Sequence, residues 1–180
     1  MSPRVEDSTG KINLFLGLIT DQTYDKLDCP STRQRLQFAR AMTIAEKQQH
    51  LLDELSFFHD WQDRYEYVIA LGKKLSPLPE TARTADHLIK GCQSQVWLDA
   101  ACEDGKVEYF ADSDSLITKG MIALFIEVLN RQSPDDILTA DLSFIEQTGL
   151  KEHLAPTRAN ALNLMATQMK QKALTFSQTS

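Results

Sequence analysis

His87-Leu88-Ile89-Lys90-Gly91-Cys92-Gln93-Ser94-Gln95-Val96-Trp97 is the stretch on which the fold turns. It starts as a short apolar segment, breaks at Gly91-Cys92, and resumes as a strand. Gly91 opens backbone conformations closed to other residues, which suits a sulfur carried on a tight loop. Lys90 is close in sequence, and a nearby cation favours the thiolate, the reactive form of cysteine. The competing reading is a buried, inert thiol, because free cysteine is among the most buried residue types. Local context alone leaves both readings open.

Downstream of the cysteine the pattern alternates. Val96, Leu98, Ala100 and Cys102 point one way, and Gln95, Trp97 and Asp99 the other. Glu103-Asp104-Gly105 is a turn signal, and Lys106 to Ala111 makes a second strand. The two form an antiparallel hairpin. Cys102 shares a face with Val96 and Leu98 and reads as a core residue, not as a resolving cysteine. A third strand just before Gly91 has only weak support.

Helices flank this hairpin on both sides in sequence. Thr43 with Glu46 forms a capping-box pattern, followed by Ile44, Leu51, Leu55 and Phe58 at helical spacing. Asp60 caps a second helix with Trp61, Tyr65, Val68 and Leu71 on one face and Gly72 near its end. Ser76-Pro77-Leu78-Pro79 breaks it, because proline lacks the amide donor. Beyond the hairpin, Leu116, Gly120, Leu124 and Val128 recur every four residues, as do Ile117, Met121, Phe125 and Leu129. That double stripe marks a well-buried helix, with Ser113 or Asp114 placed to cap it. Ser133-Pro134 starts another helix, and Asp141 to Gly149 holds a short helical piece. Thr157 is placed to cap a last helix whose inner face carries Leu162, Met165 and Met169. The chain therefore reads as α+β, a small antiparallel sheet packed against several helices.

The bulk properties narrow the class. At 180 residues the chain can bury one sizeable core, and 42% hydrophobic with 24% charged residues is ordinary for a globular protein. A net charge of −6 argues against nucleic acid as a partner. No apolar run is long enough to span a bilayer, so no membrane role is expected. Ile12–Ile19 is apolar but short and follows Glu6 and Asp7, which does not read as a signal peptide. Three cysteines, Cys29, Cys92 and Cys102, form no dense disulfide pattern and point to a reducing, cytoplasmic setting. Residues 1–41 read differently from the rest, as an N-terminal extension of unknown role or as sequence ahead of a start at Met42. Residues 42–180 form the main domain. Cys29, beside Pro30, is assigned a structural or incidental role.

Gly91-Cys92-Gln93-Ser94-Gln95-Val96-Trp97 resembles the active-site segment of the SufE family of sulfur acceptor proteins. The likeness extends upstream through Trp61, Tyr65, Tyr67 and Leu71-Gly72. Downstream it takes in Asp112-Ser113-Asp114, Lys119-Gly120, Ser133-Pro134-Asp135-Asp136-Ile137 and His153-Leu154-Ala155-Pro156-Thr157-Arg158. These stand in the family's order over roughly residues 43–175. Two departures are small: Ala111 replaces a frequent glycine before Asp112, and no glycine follows Arg158. The related CsdE proteins share a similar motif order, but Gln93-Ser94-Gln95 is closer to SufE.

The resemblance implies a SufE/NifU-like fold and a sulfur carrier. Cys92 would take persulfide sulfur from a pyridoxal-phosphate cysteine desulfurase, stimulate that enzyme, and deliver sulfur to an iron–sulfur scaffold complex. Gly91, Gln93, Ser94, Asp114 and Arg158 would support the loop or face the partner. Asp114 is alternatively a helix cap, and Arg158 alternatively a salt-bridging residue. Such transfer follows the route of thiol–disulfide exchange and needs no metal or organic cofactor. Which desulfurase is involved and whether the chain forms a homodimer stay open. A second class of reading is a thiol hydrolase or peroxidase with His87 or His153 as base, which needs the imidazole within reach of the sulfur. A third is a metal or cluster scaffold, but Cys92 and Cys102 make no Cys-x-x-Cys pair.

Overall fold

The computed structural model describes residues 42–178. The extension 1–41, with Cys29 and the Ile12–Ile19 run, lies outside the described residues.

Helix α1, Ile44–Ser56, starts at a full capping box. The Thr43 amide donates to the Glu46 carboxylate at 2.7 Å, while the Glu46 amide donates to the Thr43 hydroxyl at 3.3 Å. Helix α2, Trp61–Lys74, is capped by Asp60, which accepts from the Asp63 amide at 2.8 Å. Lys73 and Lys74 in its last turn complement the helix dipole. The proline-bearing turn follows, then one 3-10 turn at Glu80–Ala82.

The sheet is a single antiparallel hairpin, β1 Val96–Glu103 and β2 Lys106–Ser113. Its register pairs Val96 with Ser113 and Glu103 with Lys106. That leaves a two-residue turn, Asp104-Gly105, with φ of 52° and 71°. Two left-handed residues in succession match the right-handed twist of the strands, and Asp-Gly is among the best sequences for it.

Helix α3, Leu116–Leu129, is the centre of the molecule. Met121 to Ile126, Val128 and Leu129 are all buried, and the helix packs against α1, α2, β2 and the last helix. A helix enclosed on so many sides must be apolar on nearly every face, which the double stripe records. Gly72 and Gly120 let α2 and α3 touch backbone to backbone: a Cβ on Gly120 would lie 2.3 Å from the Val68 carbonyl oxygen.

Three short helices follow. Helix α4, Pro134–Thr139, is capped by Ser133 with Pro134 in its first turn. Helices α5, Phe144–Gln147, and α6, Leu150–His153, are separated by Gly149 at φ 70°. Helix α7, Pro156–Ser177, buries Ala161, Leu162, Met165, Met169 and Ala173, so the expected inner face is present. The architecture is α+β, as the sequence indicates.

Several local expectations are corrected. β2 runs two residues further, to Ser113. Residues before Gly91 add no third strand to the sheet; they make one isolated bridge, Leu88 with Trp97. Cys102 is half-buried and outside the core cluster. Leu116, the first residue of α3, is 61% exposed, although Thr118 in the same turn is buried. Ser115, not Ser113 or Asp114, caps α3. Thr157 does not cap α7; Ala155 holds that position and Pro156 follows.

Candidate functional site

Cys92 sits at the tip of a loop whose two arms are joined by main-chain bonds. The Ile89 amide donates to the Val96 carbonyl at 2.8 Å, and the Leu98 amide to the His87 carbonyl at 2.8 Å. Gly91 turns the chain at φ 93°, and a side chain there would press on Leu164 of α7. The half-buried cysteine packs against the edge of the core. Among the described residues its sulfur has no hydrogen-bond partner.

The residues after Cys92 are each held by a different element. The Thr157 hydroxyl, in the first turn of α7, meets the Gln93 side-chain oxygen at 3.1 Å. The Thr118 hydroxyl, on α3, meets Ser94 Oγ at 3.4 Å. Gln95 is gripped on both main-chain groups: its amide donates to Asp114 Oδ1 at 3.0 Å, and its carbonyl accepts from the Ser113 hydroxyl at 2.7 Å. Asp114 and Ser113 thus hold the loop, which is why neither caps α3. Arg158 lies one residue beyond Thr157, exposed, with no ion pair among the described residues.

Behind the loop stands a cluster that the sequence reading did not assign. Asp112 is 7% exposed. Its carboxylate accepts from Arg83, from Lys119 Nζ at 2.8 Å and from the Ser113 amide at 2.9 Å. Arg83 also lies over the Trp97 ring at 5.7 Å. Burial pushes the Asp112 carboxyl up, but the hydrogen bonds from Lys119 and Ser113 and the charges of Lys119 and Arg83 outweigh it. The net result is a carboxyl below its ordinary range. The signal available in sequence was that Asp112 and Lys119 both fall in quoted motifs; Arg83 had none.

The electrostatics of Cys92 run against the expected help from Lys90. Burial pushes the thiol up, and no cation among the described residues offsets it. Lys90 is exposed. The proposed bases are engaged elsewhere: His87 meets the Thr84 hydroxyl with Nδ1 at 2.9 Å and Asp99 with Nε2 at 3.4 Å. The His153 ring stacks on Trp61 at 3.6 Å. A hydrolase or peroxidase site built on either imidazole has no support in this geometry. Among the described residues, no group of three or more His, Cys, Asp or Glu is arranged to hold a metal. Clefts of about 320 and 300 Å³ lie between α1, α2 and α5 and between α5, α6 and α7; neither is lined by a residue of the cysteine loop.

With the geometry in place, the chain can be compared with known proteins. Residues 49–173 fit the family model described as SufE, Fe-S metabolism associated domain. The chain belongs to the SufE family. It is 43% identical over 117 residues to an uncharacterized SufE-like protein of Synechocystis sp., covering 65% of this chain and 74% of that one. It is 36% identical over 128 residues to an uncharacterized SufE-like protein of Rhizobium meliloti, covering 68% and 91%. A solution structure of a hypothetical protein from Thermus thermophilus aligns with a TM-score of 0.63 at 21% identity, covering 74% of this chain and 97% of that one. That last likeness shows the fold. Membership in the SufE family ties the chain to iron–sulfur metabolism. No helix among the described residues is long and apolar enough to cross a membrane.

Proposed function

We propose that this SufE-family chain is a sulfur acceptor and carrier, with Cys92 as the group that receives sulfur. The donor is a persulfide on a pyridoxal-phosphate cysteine desulfurase. The Cys92 thiolate attacks the outer sulfur of that persulfide. A new S–S bond forms at Cys92, the donor S–S bond breaks, and the donor leaves as a thiolate, so no external oxidant or reductant is needed. Cys92 then carries the persulfide to an iron–sulfur scaffold complex, and clearing the donor speeds the desulfurase. The chain itself needs no cofactor for this step, and a reducing cytoplasm suits it. Gly91 provides the turn, Gln93 and Ser94 hold the resting loop, Asp114 anchors its downstream arm, and exposed Arg158 faces the partner.

The observation that carries the reading is a half-buried thiol at a loop tip, inside the segment that resembles the family's active site. A carrier needs no more than a thiolate that a partner can reach. The test is intact mass after mixing the chain with a cysteine desulfurase and free cysteine without reductant. The expected result is a gain of whole sulfur atoms mapped to Cys92, absent in Cys92→Ser, which keeps the fold. Full stimulation of the desulfurase by Cys92→Ser would refute the carrier mechanism.

A further inference from the structure

The buried carboxylate of Asp112 has more partners than a strand residue needs, and each partner leads to the cysteine loop by a different path. Arg83 lies in the segment that enters the loop, just after the 3-10 turn. From there the chain runs to His87–Ile89, which bonds to β1. Lys119 lies on α3 beside Thr118, the residue that meets Ser94. The Ser113 amide also donates to Asp112, and its hydroxyl donates to the Gln95 carbonyl. One carboxylate therefore joins the upstream arm, the downstream arm and the helix beneath.

We propose that Asp112 is a positioning residue that holds the cysteine loop closed, with Arg83 and Lys119 as the two cations it gathers. Its effect on Cys92 is indirect, since neither it nor its partners bond to the sulfur. With the carboxylate neutralised, the two cations lose their common acceptor and the arms of the loop separate more readily. Arg83 and Lys119 side chains are 38% and 23% exposed, so both return to water without being stranded in the core. Neutralisation therefore loosens the loop without unfolding the chain. Charge-assisted hydrogen bonds are among the strong ones, and losing the net worth of one shifts a closed–open equilibrium by roughly tenfold.

This deepens the carrier reading and rests on it for the importance of Cys92. The test is nevertheless read without a desulfurase, so the two fail separately. Full-length chain and Asp112→Asn are alkylated with iodoacetamide across a pH series, and each cysteine is followed by peptide mass. The expected result is roughly tenfold faster labelling of Cys92 in the variant. The labelling midpoint moves to lower pH, because opening relieves the burial that raises the thiol. Cys102, on β1 and outside the cluster, serves as the internal control and keeps its rate. Arg83→Gln, at the more exposed end of the pair, shifts Cys92 in the same direction and covers the case in which Asp112→Asn does not fold. An unchanged Cys92 rate in folded variants would overturn the proposal. So would an equal acceleration of Cys102, which signals general loosening.

Discussion

Gly120→Ala tests the packing on which the loop rests. The new Cβ would lie 2.3 Å from the Val68 carbonyl oxygen and 2.7 Å from the Val68 carbonyl carbon and Cγ1. Two of those atoms are backbone of α2, so a rotamer change cannot relieve the clash. Ordinary contact requires α2 and α3 to part by roughly 1 Å, and a gap of that size forfeits a quarter to a half of each dispersion contact it crosses. Overpacking of this kind typically costs about 1–3 kcal/mol, at the upper end when backbone must move. Alanine returns up to about 1 kcal/mol through better helix propensity. The net expectation is a loss of about 2 kcal/mol, or roughly 6–8 °C in Tm for a domain of this size. Urea denaturation followed by far-UV circular dichroism gives the value. Gly105→Ala is the control: it has open space but a φ of 71°, so only backbone strain of about 1 kcal/mol applies. If Gly120→Ala lies within about 0.5 kcal/mol of the parent (the scatter of surface substitutions), the close approach of α2 and α3 is wrong. The change also disturbs Thr118 and Lys119 on the same turn of α3, so Cys92 labelling should rise with it.

Other consequences are open to direct measurement. Cys92 alkylation should reach half-maximum above the ordinary thiol value of 9.0, since burial raises the group; a midpoint below it would mean an unseen cation. The Asp112 carboxyl is lowered in the fold, so its contribution to stability is complete above the unfolded value of 3.8. That contribution is lost as pH falls through the folded value, and Asp112→Asn should flatten this acid limb in urea titrations over roughly pH 2–5. Tyr109 donates to the Met169 carbonyl at 2.8 Å in the core, and Tyr109→Phe should cost about 1 kcal/mol by denaturation. Asp60→Ala should cost about 1 kcal/mol through loss of the α2 cap, with Cys92 labelling unchanged.

Elements specified by near neighbours were legible in the sequence. The Thr43–Glu46 box, the Asp104-Gly105 turn and the Ser133-Pro134 start each need only a few adjacent residues, and all three are found. The misreadings share one cause. Ser113, Asp114 and Ser115 are three consecutive candidate caps for α3, and local chemistry cannot rank them. The choice falls to Ser115 because Gln95, in the cysteine loop just ahead of β1, engages the first two. Thr157 is diverted in the same way by Gln93. Periodicity assigns a residue to a face but not to a depth, so Cys102 and Leu116 sit on the expected sides yet beyond the cover of the core. The sign of the Cys92 shift was misread because Lys90 is visible in sequence and burial is not. Arg83 was missed because its partner is 29 residues away.

Burial of Cys92 looks at first like a defect in a group proposed to attack a persulfide. Each unit by which a thiol is raised cuts its thiolate fraction at neutral pH tenfold. The same shift protects the resting thiol from stray electrophiles and oxidants, which react with the thiolate. A thiolate formed from a weaker acid is also the better nucleophile. The two demands are met in sequence if the loop opens only on the partner. The bonds at the loop tip, Gln93 with Thr157 and Ser94 with Thr118, are neutral and worth about 1 kcal/mol each. A docking protein replaces them at little cost. The grip on Gln95 by Asp114 and the Asp112 cluster behind it are charge-assisted and hold more firmly. Opening would then start at residues 91–94 and go to completion only as the arms held by the Asp112 cluster part, so that cluster sets how readily a partner exposes the sulfur.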